Sequence, residues 1–206
     1  CLELPLIFFD IPVPGVSSPL IVSDDYEGAV AAVRHLLSLG HTAIAHIGSM
    51  YDRTAELRCS GLTDTLQKAG IALDRAYIKA KEPTRQWGYA AAAELFAMAA
   101  PPTAIFCGND TIAAGARRFC LDHHIQVPHQ CSLIGFGDTA IAEDLGLTSV
   151  NQHADKIAAS LWNLLRLTLN GDAVPDETVI PTALILRDST GKVPDSPGHP
   201  IFLRTL

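Results

Sequence analysis

Short apolar runs alternate along the chain with segments in which apolar residues recur every three or four positions. The runs PLIFFD, TAIAHIG, TAIFCG and CSLIGFG have the length and composition of buried strands, and AYIKA is a weaker run of the same kind. Helical periodicity covers residues 25–39, 54–69, 85–99, 110–122 and 154–169. This alternation predicts an α/β fold with parallel strands and helices on both faces.

Residues that end or begin helices lie at the expected places. Gly40 follows the first helical segment, Thr84 is positioned to cap the third, and Asn109 or Asp110 can cap the fourth. The segment TVIPTALILR predicts a last extended stretch, and its proline argues against a central strand. Gly- and Pro-rich sequence after Ser189 predicts a flexible tail over residues 191–206.

Composition and charge narrow the class of protein. With 206 residues, 48% hydrophobic and 18% charged, the chain is globular and large enough for one or two domains. Its net charge of -7 offers no basic surface for a phosphate backbone, so we expect no DNA binding by this chain alone. The five cysteines form no C-x-x-C pair, which indicates reduced thiols in the cytoplasm. No apolar run or signal-peptide pattern predicts a membrane or secretory segment, although the chain begins at Cys1 and not at Met.

Common catalytic and metal-binding motifs are missing from the sequence. There is no P-loop and no G-x-S-x-G elbow, and GFGDTA lacks the third glycine of a dinucleotide-binding fingerprint. His123, His124 and His129 lack a further ligand at metal-binding spacing, and His41 is explained as a helix-end residue. We therefore predict no catalytic residue, no metal, no cofactor and no enzymatic activity.

Polar side chains follow several of the predicted strands. Asp10, Asn109, Asp138 and Gln152 each come just after an extended run, and Arg58 lies on an otherwise fairly apolar helix. Each residue alone is explained as a cap or a surface group. Because ligands of open α/β sheets bind at the carboxyl ends of the strands, the repetition predicts a crevice for a small ligand with many hydroxyl groups.

Several longer segments together resemble the effector-binding core of the LacI/GalR family of bacterial transcription regulators. They occur in family order across roughly residues 5–190: DDYEGAVAAVRHLLSLGHTAIAHIG, RCSGL, PTAIFCGNDTIAAGA, VPHQCSLIGFGDT, LTSVNQ and LRDST. The resemblance implies two α/β lobes like those of periplasmic sugar-binding proteins. Three chain crossings would join the lobes, and the effector would bind in the cleft between them.

The resemblance also implies a domain organisation. Residues 1–22 and 151–174 would be the remnant of an incomplete N-terminal lobe, and residues 23–150 and 175–190 would form the C-terminal lobe. The helix-turn-helix headpiece and hinge helix of the family would lie outside this chain. We expect a cytoplasmic homodimer that meets operator DNA only through such a headpiece, and apolar surface left uncovered on the incomplete lobe.

Carried over from the family, the cleft positions are Asp10, Thr54, Arg58, Asn109, Asp138 and Gln152. Arg58 is the main candidate because its planar fork can bind paired oxygens. Gly137 stands where the first of two acids is common in the family. One hypothesis is that its loss makes the cleft more positive and selects a sugar acid or sugar phosphate over a neutral sugar. The alternative is that Gly137 only eases a turn and that Asp138 supplies the acid.

The predicted function is therefore ligand sensing and dimerisation for a LacI-type regulator, with a sugar, sugar acid or sugar phosphate as effector. A periplasmic sugar-binding protein of a transport system is the first alternative, because it shares the architecture. An α/β enzyme is the second, and the lack of an acid–base pair argues against it.

Overall fold

A computed structural model of the protein describes residues 5–50 and 52–193. Two sheets and six α-helices make up this part of the chain. The strands are β1 (Phe8–Phe9), β2 (Leu20–Ser23), β3 (Ile44–Ser49), β4 (Ile78–Lys81), β5 (Ala104–Cys107), β6 (Ser132–Gly137), β7 (Thr148–Asn151), β8 (Glu177–Ile180) and β9 (Ala183–Ile185). The helices are α1 (Asp25–Ser38), α2 (Arg53–Lys68), α3 (Arg85–Phe96), α4 (Asp110–Asp122), α5 (Ala140–Asp144) and α6 (Ala154–Asn170).

The larger sheet has six strands in the order β4-β3-β5-β6-β7-β9. All of its neighbouring pairs are parallel except β7–β9, which is antiparallel. The smaller sheet has the order β1-β2-β8 and is parallel throughout. The predicted α/β class with parallel strands is confirmed, apart from the antiparallel edge strand β9.

Alternate residues of the larger sheet bury against helices on opposite faces. On β3 and β5, Ala45, Ile47 and Ile105 pack with α3 and α4, whereas Ile44 and Phe106 pack with α1 and α2. Because both faces of these strands are buried, the strands occur in the sequence as continuous apolar runs.

The helices begin where capping side chains stand. Thr84 accepts a hydrogen bond from the Trp87 amide (3.1 Å) at the start of α3, and Asn109 accepts one from Ile112 (2.8 Å) at the start of α4. Asp24 and Asp52 cap α1 and α2 in the same way. The predicted helix positions are confirmed to within a few residues because these signals are local.

Helices α3 and α4 cross closely through two glycines. A Cβ atom at Gly115 would lie 2.1 Å from the carbonyl oxygen of Arg85, and one at Gly88 would lie 2.1 Å from that of Ile112. Since backbone meets backbone at both points, neither helix can accept a side chain there.

The smaller sheet packs on α6. Ile21, Ile157, Leu164 and Ile180 form its buried core. Much of its apolar surface stays open, with Trp162 68% exposed. Other exposed apolar side chains of this part are Leu6, Phe9, Ile11, Val13, Val16, Leu169 and Val179.

The chain passes between the two sheets three times. It crosses from β2 to α1, from β7 to α6, and from β8 to β9. The Asp24 amide donates to the carbonyl of Ile180 (2.9 Å), and the Thr182 hydroxyl donates to the carbonyl of Asp24 (3.2 Å). The crossing from β2 to α1 is thus hydrogen-bonded to the crossing from β8 to β9. This is the arrangement expected of a hinge made of several chain segments.

Several expectations need correction. Neither β2 nor the short helix α5 was predicted from the sequence. The single extended stretch TVIPTALILR forms two strands that belong to different sheets, β8 in the smaller and β9 in the larger. The predicted division assigned residues 175–190 wholly to the C-terminal lobe. The two strands in this range, β8 and β9, belong to different sheets. The lobe boundaries themselves stay a prediction.

The backbone of His41 does help to end α1, because its amide donates to the carbonyl of Leu36 (3.1 Å), but its side chain has a separate role. It is fully buried, with Nδ1 3.0 Å from the Thr103 hydroxyl and Nε2 3.0 Å from both the Ser132 hydroxyl and the Gly191 carbonyl. Burial is the main cause that lowers the pKa of His41.

The predicted tail, residues 191–206, lies partly within the described structure. The Gly191 amide donates to the Ser132 hydroxyl (3.1 Å), and the Val193 amide donates to the carbonyl of Leu39 (2.9 Å). Residues 191–193 therefore pack on the larger sheet's side of the molecule, and residues 194–206 lie outside the described residues. Within the described residues no helix combines the length and the apolar character needed to cross a bilayer.

Candidate functional site

Arg58, on the second turn of α2, is the centre of the polar cluster between the sheets. Its Nε and Nη2 atoms lie 2.8 and 2.7 Å from Oδ1 of Asp25, and Nη1 donates to the carbonyl of Gly108 (2.6 Å). The guanidinium also stacks 3.9 Å from the ring centroid of Phe136. Arg58 is therefore fixed by contacts from α1, from the end of β5 and from β6.

Asp25 is the main partner of Arg58 and is only 2% exposed. Burial raises the pKa of its carboxyl group, and the ion pair with Arg58 partly offsets this effect. Asp25 was not predicted from the sequence to belong to the site. Its position in the first turn of α1 looks like that of an exposed acid stabilising a helix N-terminus.

Asp10 ends β1 with a left-handed backbone conformation (φ 62°). Its Oδ1 atom is buried and has no hydrogen-bond partner among the described residues. Burial is the largest cause that raises the pKa of Asp10; Arg58 lowers it and Asp52 raises it further. A ligand hydroxyl group could satisfy this oxygen.

Asp10 and Thr54 line the same cavity, which has a volume of about 240 Å³ and lies between the smaller sheet and the first turns of α1 and α2. The Thr54 hydroxyl donates to Oδ1 of Asp52 (2.6 Å), the residue that caps α2. Asp25 also lines this cavity, so the Arg58 ion pair forms part of its wall. A larger cavity of about 630 Å³ lies on the outer face between α3, α4 and α5 and includes none of the six predicted residues.

Asn109 lies beside the carbonyl that Arg58 contacts, so these two predicted residues are neighbours. Its side-chain oxygen is used by the cap of α4. The next residue, Asp110, is buried and accepts from the Thr139 amide (2.7 Å), the Thr139 hydroxyl (2.9 Å) and the Ser149 hydroxyl (2.6 Å). Asp110 thereby ties α4 to the ends of β6 and β7.

Asp138 follows β6 and is held by two side chains. Its Oδ1 atom lies 2.7 Å from Nη1 of Arg187, and its Oδ2 atom accepts from the side-chain amide of Asn151 (2.8 Å). Neither partner was proposed from the sequence. These contacts give Asp138 a structural role that is sufficient to explain it, in addition to the ligand contact predicted for it.

Gln152 lies at the crossing from β7 to α6. Its amide nitrogen donates to the hydroxyl of Ser23 (2.7 Å), which ends β2 at another crossing. Gln152 thus joins the two sheets directly, and it does not line the cavity that contains Asp10 and Thr54.

No group of three or more His, Cys, Asp or Glu side chains in the described residues is arranged to hold a metal ion. The cysteines described by the structure, Cys59, Cys107, Cys120 and Cys131, are free thiols. Burial raises the pKa of Cys120 to about 12 and raises that of Cys59 as well, so neither thiol is activated.

Comparison with known proteins identifies the architecture around this cluster. Residues 33–190 match the periplasmic binding protein-like domain. The chain belongs to this family. The HTH-type transcriptional regulator GalR of Escherichia coli K12 is 32% identical over 184 residues, which are 88% of this chain and 54% of GalR.

Solved structures show that the chain has the LacI/GalR form of the periplasmic binding protein-like domain. A LacI transcriptional regulator from a Rhodococcus species superposes with a TM-score of 0.83 at 26% identity, covering 92% of this chain and 71% of that one. The transcriptional regulator CelR, in complex with cellobiose, superposes with a TM-score of 0.81 at 27% identity over 89% of this chain and 58% of CelR. The chain spans about half the length of the curated relative described above.

Gly137 departs from the LacI/GalR pattern for a reason visible in the backbone. It has φ 118°, a conformation that side chains rarely adopt, and a Cβ atom there would lie 3.4 Å from Oδ2 of Asp110. This geometry favours the interpretation that Gly137 eases a turn after β6.

The six predicted residues of this LacI/GalR-type core therefore fall into connected groups. Asp10 and Thr54 line the cavity, Arg58 contacts Asp25 in the wall of the cavity, and Asn109 adjoins Arg58 through Gly108. Asp138 and Gln152 lie at the ends of β6 and β7 in contact with their own partners. Whether all six contact a ligand stays a prediction.

Proposed function

We propose that this chain is the effector-sensing domain of a LacI-type transcriptional regulator. It binds a small hydroxyl-rich metabolite between its two sheets, and the binding controls a DNA-binding headpiece outside the chain. The observation that carries the proposal is the cluster around Arg58, where polar side chains from both sheets meet at the carboxyl ends of parallel strands.

The regulator proposal is favoured over a transport protein by the relatives, which are named transcriptional regulators. It is favoured over an enzyme because two charged groups near the ends of the strands, Arg58 and Asp110, are already paired within the protein. Arg58 is bound by Asp25 and Gly108, and Asp110 by Thr139 and Ser149. Two hydroxyl groups at the cavity, those of Thr54 and Tyr26, donate to the carboxylates of Asp52 and Asp64, and both contacts are explained as structural contacts of helices α1 and α2.

The three crossings provide the means of signalling. A ligand that contacts Asp10 on the smaller sheet and Thr54 on the α2 side stabilises one relative orientation of the sheets. The hydrogen bonds between the crossings would be the hinge of that motion. The shift in orientation is limited by the ligand's difference in affinity for the two states.

Calorimetric titration of the chain with neutral sugars tests the proposal. The probes are galactose, glucose and cellobiose, and saturable binding of at least one is expected. Thr54→Val should weaken that binding at least tenfold, about the contribution of one ligand hydrogen bond. The matched control is Thr63→Val on the same helix, whose hydroxyl bonds only the Cys59 carbonyl. The proposal is contradicted if none of these three sugars and neither galacturonate nor glucose 6-phosphate binds, or if the affinity of the Thr54 variant for a bound sugar is unchanged.

We further propose that the chain forms a homodimer through the outer groove between α3, α4 and α5. The groove is about 630 Å³ in volume and carries both signs of charge, with Arg85, Arg117 and Arg118 beside Asp144. Leu121, on its edge, is 67% exposed. Apolar contacts together with both charge signs allow one copy of this face to pair with another about a two-fold axis.

A further inference from the structure

The cavity beside Arg58 is lined by more acids than bases. Asp10, Asp24, Asp25 and Glu177 contribute carboxyl groups to its wall, and Arg53 is the cation that lines it. Arg53 lies 3.4 Å from Glu177, and both side chains are about two-fifths exposed. The positive charge of Arg53 is thus screened by solvent and already paired with Glu177 in the absence of a ligand.

Arg58 adds little free positive charge to this wall. Two of its three nitrogens contact Asp25 and the third donates to Gly108, while one face of its guanidinium covers Phe136. Asp25 is even more buried than Arg58, with side-chain exposures of 2% and 11%. The pair is close to neutral as seen from the cavity.

The unpaired polar atom at the cavity is an acceptor. Oδ1 of Asp10 is buried without a partner among the described residues, and its carboxyl group lies in the field of Asp52 as well as of Arg58. A hydroxyl group can donate to this oxygen, whereas a carboxylate or phosphate cannot and would be repelled by it. The arrangement therefore opposes the hypothesis that the loss of an acid at Gly137 makes the site select acidic sugars.

We propose that Asp25 is a specificity-determining residue, which by occupying Arg58 makes the cavity select neutral hydroxyl-rich ligands and exclude sugar acids and sugar phosphates. This inference rests on the proposed function, since it describes the same site. Selectivity for neutral ligands then arises from repulsion between the cavity acids and an anionic ligand as much as from attraction of ligand hydroxyl groups.

Matched neutral and anionic probes test the inference on the full chain. Galactose is compared with galacturonate, and glucose with glucose 6-phosphate, by calorimetric titration. The wild-type protein should bind the neutral member of at least one pair at least tenfold more tightly than its anionic member. Asp25→Asn, which releases the Arg58 charge, should reduce this ratio at least tenfold, and Asp122→Asn on the exposed face of α4 should leave it unchanged.

A second variant covers the case in which Asp25→Asn does not fold. Asp10→Asn removes an acid of the same cavity without touching the Arg58 pair, and it should shift the ratio in the same direction. The inference is wrong, while the proposed function stands, if the anionic member binds as tightly as the neutral one or if a folded Asp25→Asn protein keeps the wild-type ratio. It is also wrong if Asp25→Asn does not fold and Asp10→Asn leaves the ratio unchanged. If no sugar of either kind binds, the proposed function itself fails and the inference fails with it.

Discussion

Arg58 and Asp25 form a two-nitrogen contact on a single oxygen, with Nε at 2.8 Å and Nη2 at 2.7 Å from Oδ1. The pair joins α2 to α1, and the Arg58 contact to Gly108 extends the link to the end of β5. The Arg58 side chain is thus part of the structure that holds the helices in place.

Removal of one partner should be far more harmful than removal of both. Asp25→Ala leaves the largely buried Arg58, whose side chain is 11% exposed, without a counter-charge, and the free energy of unfolding should fall by about 3 kcal/mol or more. Replacing Arg58 by Met in the same protein removes the orphaned charge and should recover part of that loss. Urea unfolding followed by circular dichroism measures both effects.

The ion pair Arg118–Asp122 is the control for this experiment. It joins neighbouring turns of α4, and the Arg118 side chain is two-thirds exposed. Asp122→Ala should therefore change the free energy of unfolding by about 0.5 kcal/mol or less. Equal losses for the Asp25 and Asp122 variants would mean that the Arg58 pair is no more important than a surface pair.

The crossing of α3 and α4 gives a prediction about a single methyl group. Gly115→Ala places a Cβ atom 2.1 Å from the Arg85 carbonyl oxygen, a distance at which the helices must separate. We expect a loss of more than about 2 kcal/mol in the free energy of unfolding, as for other overpacked sites. Gly171→Ala, at the C-terminal end of α6 with open space around it, should lose about 1 kcal/mol from its positive φ alone. A smaller loss for Gly115→Ala than for Gly171→Ala would contradict the close crossing.

His46 should make the protein less stable in mild acid. It is buried in β3, stacks on Phe106 and has Nδ1 2.9 Å from the Phe106 carbonyl. Burial, the largest cause, lowers the pKa of His46 to about 4 from an ordinary 6.5. Between these values the unfolded chain binds a proton that the folded protein does not bind. The stabilising contribution is therefore complete above pH 6.5 and is lost as the pH falls, by roughly 3 kcal/mol at pH 4.

A His46→Gln variant isolates this effect, because an amide can still donate to the Phe106 carbonyl and does not titrate. Its free energy of unfolding should fall less between pH 7 and pH 5 than that of the wild-type protein. His129→Gln, in an exposed turn, should show the wild-type slope. Burial raises the pKa values of Asp25 and Asp110 and acts in the opposite direction, but it acts equally on all three proteins. Identical slopes for His46→Gln and the wild type would show that His46 does not titrate as inferred.

The helices of this fold were predictable because their signals are local. Thr84 and Asn109 cap helices through bonds to residues only three positions away, and the apolar stripes of α1 and α6 repeat within each segment. Strand β2 escaped prediction because its four buried residues join α1 with almost no break in pattern. Its partner β8 lies far along the chain and is found only by folding.

The site was predictable in type but not in detail. Polar residues after strands indicated a crevice, and Arg58 and Asn109 do lie together through Gly108. Nothing in the sequence separates Asp25, buried against Arg58, from Glu27, an exposed acid two positions later. That difference arises from the approach of α1 to α2, over a sequence separation of 33 residues between the two charges. The same long-range origin explains why Arg187 was missed as the partner of Asp138.

The two tryptophans should report separately on the two parts of the molecule. Trp87 is buried, and its indole nitrogen donates to the Gly48 carbonyl (3.1 Å), whereas Trp162 is 68% exposed on α6. Acrylamide should therefore quench Trp162 in a Trp87→Phe variant several times more efficiently than Trp87 in a Trp162→Phe variant. Equal, weak quenching of both would show that another molecule covers the apolar face of α6 formed with Ile7, Leu161 and Leu165.

The proposed dimer predicts an asymmetry between two equally exposed leucines. Leu121 borders the groove between α3, α4 and α5, whereas Leu169 lies on α6 beside the smaller sheet, and they are 67% and 66% exposed. A charge at Leu121 would be brought into an apolar contact by dimerisation and would meet its own copy across the two-fold axis. Leu121→Glu should therefore shift the monomer–dimer equilibrium toward monomer by at least tenfold in sedimentation velocity, and Leu169→Glu should leave it unchanged. A dimer that loses affinity only with the Leu169 variant would place the interface on α6, and a wild-type chain that stays monomeric at all concentrations would exclude the outer groove as a self-association surface.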